Sequence, residues 1–216
     1  ALTELDISNF DTSKVTNMSR MFLDNSSLTS LDVSNFNTSK VTNMAYMFDQ
    51  CRALTYLNVS SFDTSKVTTM EGMFLSCSHL VRLDLSNFDT SNVTNMSAMF
   101  DQCRALTYLN VSSFDTSKVM YMQYMFRNLS VIKELDLINF DTSNVTNMAS
   151  MFRNNYALEE LDLTSFNTSK VTDMSGMFCV TRALKEIRVS NLWDMSSVTN
   201  TTDMFEQSGV SSVTVV

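Results

Sequence analysis

The pair Met-Phe recurs at Met21-Phe22, Met47-Phe48, Met73-Phe74, Met99-Phe100, Met125-Phe126, Met151-Phe152 and Met177-Phe178, a period of 26, and once more at Met204-Phe205 after 27. A period of this length marks an array of stacked units, each too small to bury its own apolar side without its neighbours. The 21 residues from Met47 to Val67 reappear unchanged from Met99 to Val119, so part of the array is a recent duplication. An array grows by adding coils, and the 216 residues read as one domain: regular coils over 1–192 and a divergent terminal coil over 193–216.

Residues 28–53 serve as the template coil. Leu28, Leu31 and Val33 are apolar, and the last two alternate with Asp32 and Ser34, the period of a half-buried strand. Phe36 points inward, and Asn37-Thr38-Ser39 supplies a turn and oxygens for a helix N-cap. Val41, Met44, Met47 and Phe48 fall three or four apart, which predicts a short helix or helical turns. The expected fold is an α/β repeat solenoid of eight coils, each with one short strand and short helical turns. Strands of successive coils pair in parallel, ~4.8 Å apart, with right-handed crossovers. With no proline and three glycines, the corners fall to Asp, Asn, Ser and Thr, whose short side chains hydrogen-bond nearby backbone.

In the last copy Trp193-Asp194-Met195 carries one extra residue, Thr201 stands for the usual Met, and Val210, Val213 and Val215 restore the strand one residue early. A terminal coil meets solvent on one side, which explains Trp193 without a ligand; an indole that binds one is the other reading.

Two columns on the exposed side of the strands bear on function. The first runs Asp6, Asp32, Asn58, Asp84, Asn110, Asp136, Asp162, Arg188; the second runs Glu4, Ser30, Tyr56, Arg82, Tyr108, Glu134, Glu160, Glu186. The adjacent carboxylates Asp6/Asp32 and Asp136/Asp162, ~5 Å apart, repel by ~0.8 kcal/mol in full water. Hydrogen bonds to strand-end backbone, a basic partner or bound calcium each answer that repulsion. Tyr56, Arg82 and Tyr108 occupy consecutive coils, placing a guanidinium between two phenol rings, an arrangement suited to cation–π contact and to an interface anchor. The candidate ligand-binding residues are therefore Tyr56, Arg82, Tyr108, Asp32, Asp84, Glu134 and Glu160.

The Thr12-to-Thr168 ladder reads as turn backbone satisfied from coil to coil, with ice or glycan binding as a remote alternative. Cys51, Cys77 and Cys103 share a column, with neighbouring members within disulfide range. Three in a row cannot all pair, and buried reduced thiols are expected. Zinc needs four converging ligands, and His79 is the only histidine, so neither a metal site nor a cofactor is expected. No Gly-rich phosphate loop or nucleophile elbow is present, and the chain is expected not to be an enzyme. A net charge of −8 disfavours nucleic acid and anionic lipid.

The words Leu-Asp-Val-Ser-Asn-Phe (31–36), Asp-Thr-Ser-Asn-Val-Thr-Asn-Met (89–96) and Met-Phe-Asp-Gln-Cys (47–51) resemble the 26-residue bacterial surface-protein repeat of the BspA-like, leucine-rich-repeat-related group. Similar arrays occur in surface proteins and lipoproteins of mycoplasmas, lactobacilli and Listeria-type bacteria. The resemblance spans nearly the whole chain, loosening after Leu192. It implies a leucine-rich-repeat-like solenoid at the cell surface, used for adhesion or protein binding, and brings no catalytic residues. The chain opens in mid-repeat and reads as a segment of a longer protein. The expected function is an extracellular bacterial surface binding module that engages a host or bacterial macromolecule, protein or glycan, through the exposed strand face. A structural spacer, or a glycan-binding module, is the alternative. No nucleic-acid partner and no membrane insertion of this segment are expected, and a monomer or weak oligomer is.

Overall fold

A computed structural model describes residues 2–216. Successive coils are tied by strands on one side only in part, and without a break on the other: the expectation of one strand in every coil is corrected, since no regular strand forms around Leu31, Leu57 or Leu135. On one side lie the strands β1 (Arg82–Asp84), β2 (Tyr108–Asn110), β3 (Glu160–Leu163), β4 (Glu186–Val189) and β5 (Thr214–Val215). They form two parallel sheets, β1-β2 and β3-β4-β5. Their register follows the repeat: Leu83 pairs with Leu109, Leu161 with Ile187 and Val189 with Val215, each 26 residues on. The 26-residue step into β5 holds although the Met-Phe step is 27 there, because the terminal coil restores its strand one residue early. On the second side a ladder of single parallel bridges runs without a break from Asn17↔Asn43 to Asp173↔Asn200.

The helical turns expected over Val41–Phe48 and its equivalents are not formed: no helix is present among the described residues. In the template coil the N–H groups alternate. Met44, Tyr46, Phe48 and Gln50 donate to carbonyls of Thr69, Glu71, Met73 and Leu75 one coil on, while Met47, Asp49 and Cys51 close turns on Met44, Tyr46 and Phe48. A helix sends every N–H back four residues along its own chain. Here every second one is spent on the neighbouring coil. The first and last of these turns place a left-handed residue at their third position, Tyr46 (φ 59°) and Gln50 (φ 61°), as a type II turn demands. The same two positions are left-handed in the other coils, filled by glycine only at Gly72 and Gly176. The spacing of three to four is thus a turn period with helical appearance.

Asx turns make the corners. The N–H of Ser34 donates to Asp32 Oδ1 at 2.9 Å, that of Ser39 to Asn37 Oδ1 at 3.1 Å and that of Ala45 to Asn43 Oδ1 at 2.9 Å. Short polar side chains hydrogen-bonding backbone two residues ahead do the work of the missing Gly and Pro.

The core runs the length of the stack. Phe22, Phe48, Phe74, Phe100, Phe126, Phe152 and Phe178 stack face to face, with adjacent centroids 5.5–6.0 Å apart, and Phe205 extends the row at 5.4 Å. The second aromatic column is buried from Phe36 to Phe166, while Phe10 and Leu192 are exposed. Trp193 packs on the core against Phe178. The hydroxyl ladder is buried and structural. Thr64 Oγ1 donates to the Asp89 carbonyl at 2.9 Å and accepts from the Asp89 N–H at 2.8 Å, and Thr38 does the same for Asp63. All four cysteines are free and buried. Cys51, Cys77 and Cys103 each donate S–H to a phenylalanine carbonyl of the coil before, at 3.1–3.2 Å, and desolvation raises their thiol pKa, to about 12 for Cys51.

Candidate functional site

Alternation along the strand sends Leu31, Leu57, Leu83 and their equivalents into the core and their flanking residues outward. All seven sequence-predicted binding residues, Tyr56, Arg82, Tyr108, Asp32, Asp84, Glu134 and Glu160, lie on this outer face and are exposed. Among the open depressions on this face, three involve the tyrosines and Arg82. The largest, about 700 Å³, is lined by Glu4, Asp6, Ser30, Asp32, Tyr56 and Asn58. The second lies between Tyr56 and Arg82 with Asp84. The third lies between Tyr108 and Glu134 with Lys133 and Asp136. Their openness suits a large partner lying along the face better than an enclosed small molecule.

The aromatic sandwich is half formed. The Arg82 guanidinium stacks on Tyr108, 3.5 Å from the ring centroid, and lies 3.9 Å from the Asp84 carboxylate. Tyr56 has no such partner and is 65% exposed. The expectation of a cation between two rings is therefore corrected: the guanidinium turns to Tyr108 of the fifth coil, with Asp84 of its own strand beside it.

Asx turns answer the repulsion in the carboxylate column. Oδ1 accepts from the N–H two residues on at Asp6, Asp32, Asp84, Asp136 and Asp162. The Ser34 hydroxyl and N–H hold the Asp32 carboxyl below its usual pKa, as the Ser8 N–H and hydroxyl do for Asp6. Asp84 also accepts from Asn110, and Asp162 from Arg188 at 2.9 Å. Glu134 and Glu160 stand free on the same face. Among the described residues no group of three or more His, Cys, Asp or Glu side chains is placed to hold a metal ion, and no helix is long and apolar enough to cross a membrane.

A second exposed apolar group escaped the sequence reading. Met120, Tyr121 and Tyr124 of the fifth coil are exposed on the bridge side; Met120 replaces the Thr of the other coils and Tyr121 their Asn, Asp or Thr, while Tyr124 shares its column with Tyr46. Tyr121 also gives up the Asx turn made by Asn95 and Asn147 in the flanking coils. The signal lay in the columns: this is the coil where Thr and Asn are both replaced.

The stacked coils and in-register strands define a repeat protein. Its sequence belongs to the family described as Mycoplasma protein of unknown function, DUF285, whose model matches residues 1–56, 52–137 and 106–214. Among solved structures, the functional domain of InlJ from Listeria monocytogenes, described as including a cysteine ladder, aligns at 18% identity and a TM-score of 0.20, over 93% of this chain. The chain spans 55% of that chain's length. No curated protein sequence matches.

Proposed function

We propose that this segment is a protein-interaction module of a bacterial surface protein, of the BspA-like leucine-rich-repeat-related kind, and that its strand face is an adhesive surface. The observation that supports this reading most is the difference between columns. The Thr12 and Asn17 columns are largely consumed by hydrogen bonds that build the coils, whereas Ser30, Tyr56, Arg82, Tyr108, Glu134 and Glu160 vary freely and face solvent. Among them Tyr56 and the Arg82–Tyr108 stack are the anchors, since aromatics and arginine dominate interface energetics. The partner is a protein or glycan of the host or of the bacterial surface, not nucleic acid, and the segment acts as a monomer or weak oligomer without entering the membrane. We infer no catalysis. His79, the single imidazole, donates its Nδ1–H to the Arg52 carbonyl at 2.7 Å on an exposed rim, with no carboxylate behind it.

An unbiased screen against glycans and matrix proteins identifies the ligand. Replacing Tyr56, Arg82 or Tyr108 with Ala then weakens it by ~1–3 kcal/mol each, with circular dichroism and melting unchanged. If the triple variant binds as well as the parent, the face is a passive surface and the array is a spacer that projects another domain.

A further inference from the structure

The duplicated block sets one aspartate in two environments. Asp101 is 1% exposed, and its carboxylate is saturated by the fifth coil: Arg127 Nε donates to Oδ1 at 3.0 Å, Arg127 Nη2 to Oδ2, and Asn128 Nδ2 to Oδ1 at 2.8 Å. Asp49 stands at the same place in the identical block of the second coil and is 7% exposed. One coil on, where Asp101 meets Arg127 and Asn128, Asp49 has Leu75 and Ser76. Its Oδ1 is buried without a hydrogen-bond partner.

The charged groups around Asp49 do not replace the missing guanidinium. Arg52 donates to Gln50 Oε1 at 2.8 Å, and Arg20 lies over the Tyr46 ring. Asp24, whose N–H donates to the Asp49 carbonyl, adds a second negative charge. Burial without a partner disfavours a carboxylate and favours the neutral acid.

We propose that Asp49 makes the junction between the second and third coils a proton-sensitive latch, packed while its carboxyl is protonated and loosened once it is charged. Burial, opposed by Arg52 and reinforced by Asp24, pushes its pKa from the ordinary 3.8 up to about 6. Because the folded value lies above the ordinary one, the favourable contribution is complete below about pH 3.8. It fades as pH rises from there to about 6, and is absent above. A shift of about two units corresponds to roughly a hundredfold change in the equilibrium between packed and open junction. The Asp101 junction differs in geometry, since Arg127 and Asn128 hydrogen-bond that carboxylate.

The test is amide hydrogen exchange followed by NMR between pH 4.5 and 7.5, corrected for intrinsic chemistry. NMR is required because the two identical blocks yield peptides of equal mass. The reporters are the N–H groups of Phe48 and Gln50, which donate across the Asp49 junction, against those of Phe100 and Gln102, their counterparts at Asp101. Protection at Phe48 and Gln50 is expected to fall by roughly twentyfold relative to Phe100 and Gln102 across that range, the rest of the hundredfold change lying below pH 4.5. Both D49N and L75R, the second supplying the absent guanidinium, are expected to remove that difference. Equal pH profiles at the two junctions, or a pH-dependent difference that survives in D49N and L75R, would overturn the proposal.

Discussion

Replacing Thr64 by valine preserves its shape and removes one hydroxyl, and that hydroxyl bridges two coils. Its oxygen accepts from the Asp89 N–H and donates to the Asp89 carbonyl, and the residue is 1% exposed. A buried group deprived of its partner costs about 1–3 kcal/mol. The exposed Asp89 side chain lies beside both groups and lets water recover part of that loss, so about 1–3 kcal/mol for the whole substitution is expected. Serine at the same place keeps the bridge and loses one methyl, about 0.8 kcal/mol. Thr68 provides the control. It is exposed and its hydroxyl only donates, to the Thr42 carbonyl at 3.1 Å, so Thr68→Val should stay within about 0.5 kcal/mol of the parent. Urea unfolding with an unchanged m-value reads all three. If the ladder were decorative, valine, the better strand former, would be neutral or stabilising at both sites. A Thr64→Val protein within about 0.5 kcal/mol of the parent, the range of ordinary surface changes, refutes the argument that hydroxyls tie the coils together.

Gly72→Ala is expected to destabilise by about 2 kcal/mol, more than its left-handed φ of 56° explains, because a Cβ there falls 2.5 Å from the Tyr46 ring; Ala98 holds the same conformation one coil on, and adding Tyr46→Ala should recover part of the loss in thermal melting. Thiol titration should find no fast-reacting cysteine in the native protein and four in the denatured, unreduced one, matching four free buried thiols; two would mean a disulfide. Millimolar calcium should leave the melting temperature nearly unchanged, since the column aspartates already accept turn N–H bonds; a rise of several degrees not reproduced by magnesium would indicate preferential binding to the folded state.

What the sequence made legible was whatever repeats every 26 residues. The stacking register, the phenylalanine row, the Asx corners and the outward column bearing Tyr56, Arg82 and Tyr108 all follow from position within the period. The helix failed because Val41, Met44 and Met47 report only which side chains point inward. They do not report where the N–H groups go, and left-handed residues such as Tyr46 and Gln50 carry no glycine to announce them. At the site, exposure was readable but pairing was not, since Arg82 had equal sequence reason to join Tyr56 or Tyr108. The contrast between Asp49 and Asp101 was hidden for another reason. Identical words take their meaning from the coil that follows, and only adding 26 to each number sets Leu75 against Arg127.

Distances along the outward column test most directly the claim that each repeat is one coil and that residues 26 apart form the functional face. Spin labels on cysteines introduced at Ser30 and Glu134, four coils apart, and at Ser30 and Glu186, six coils apart, leave the buried native thiols unlabelled. Stacking at the parallel-strand spacing predicts narrow distributions near 19 Å and 29 Å, with allowance for label length, rising by about 4.8 Å per coil. Broad distributions, or separations that do not grow in proportion to the number of coils between the labels, would contradict it.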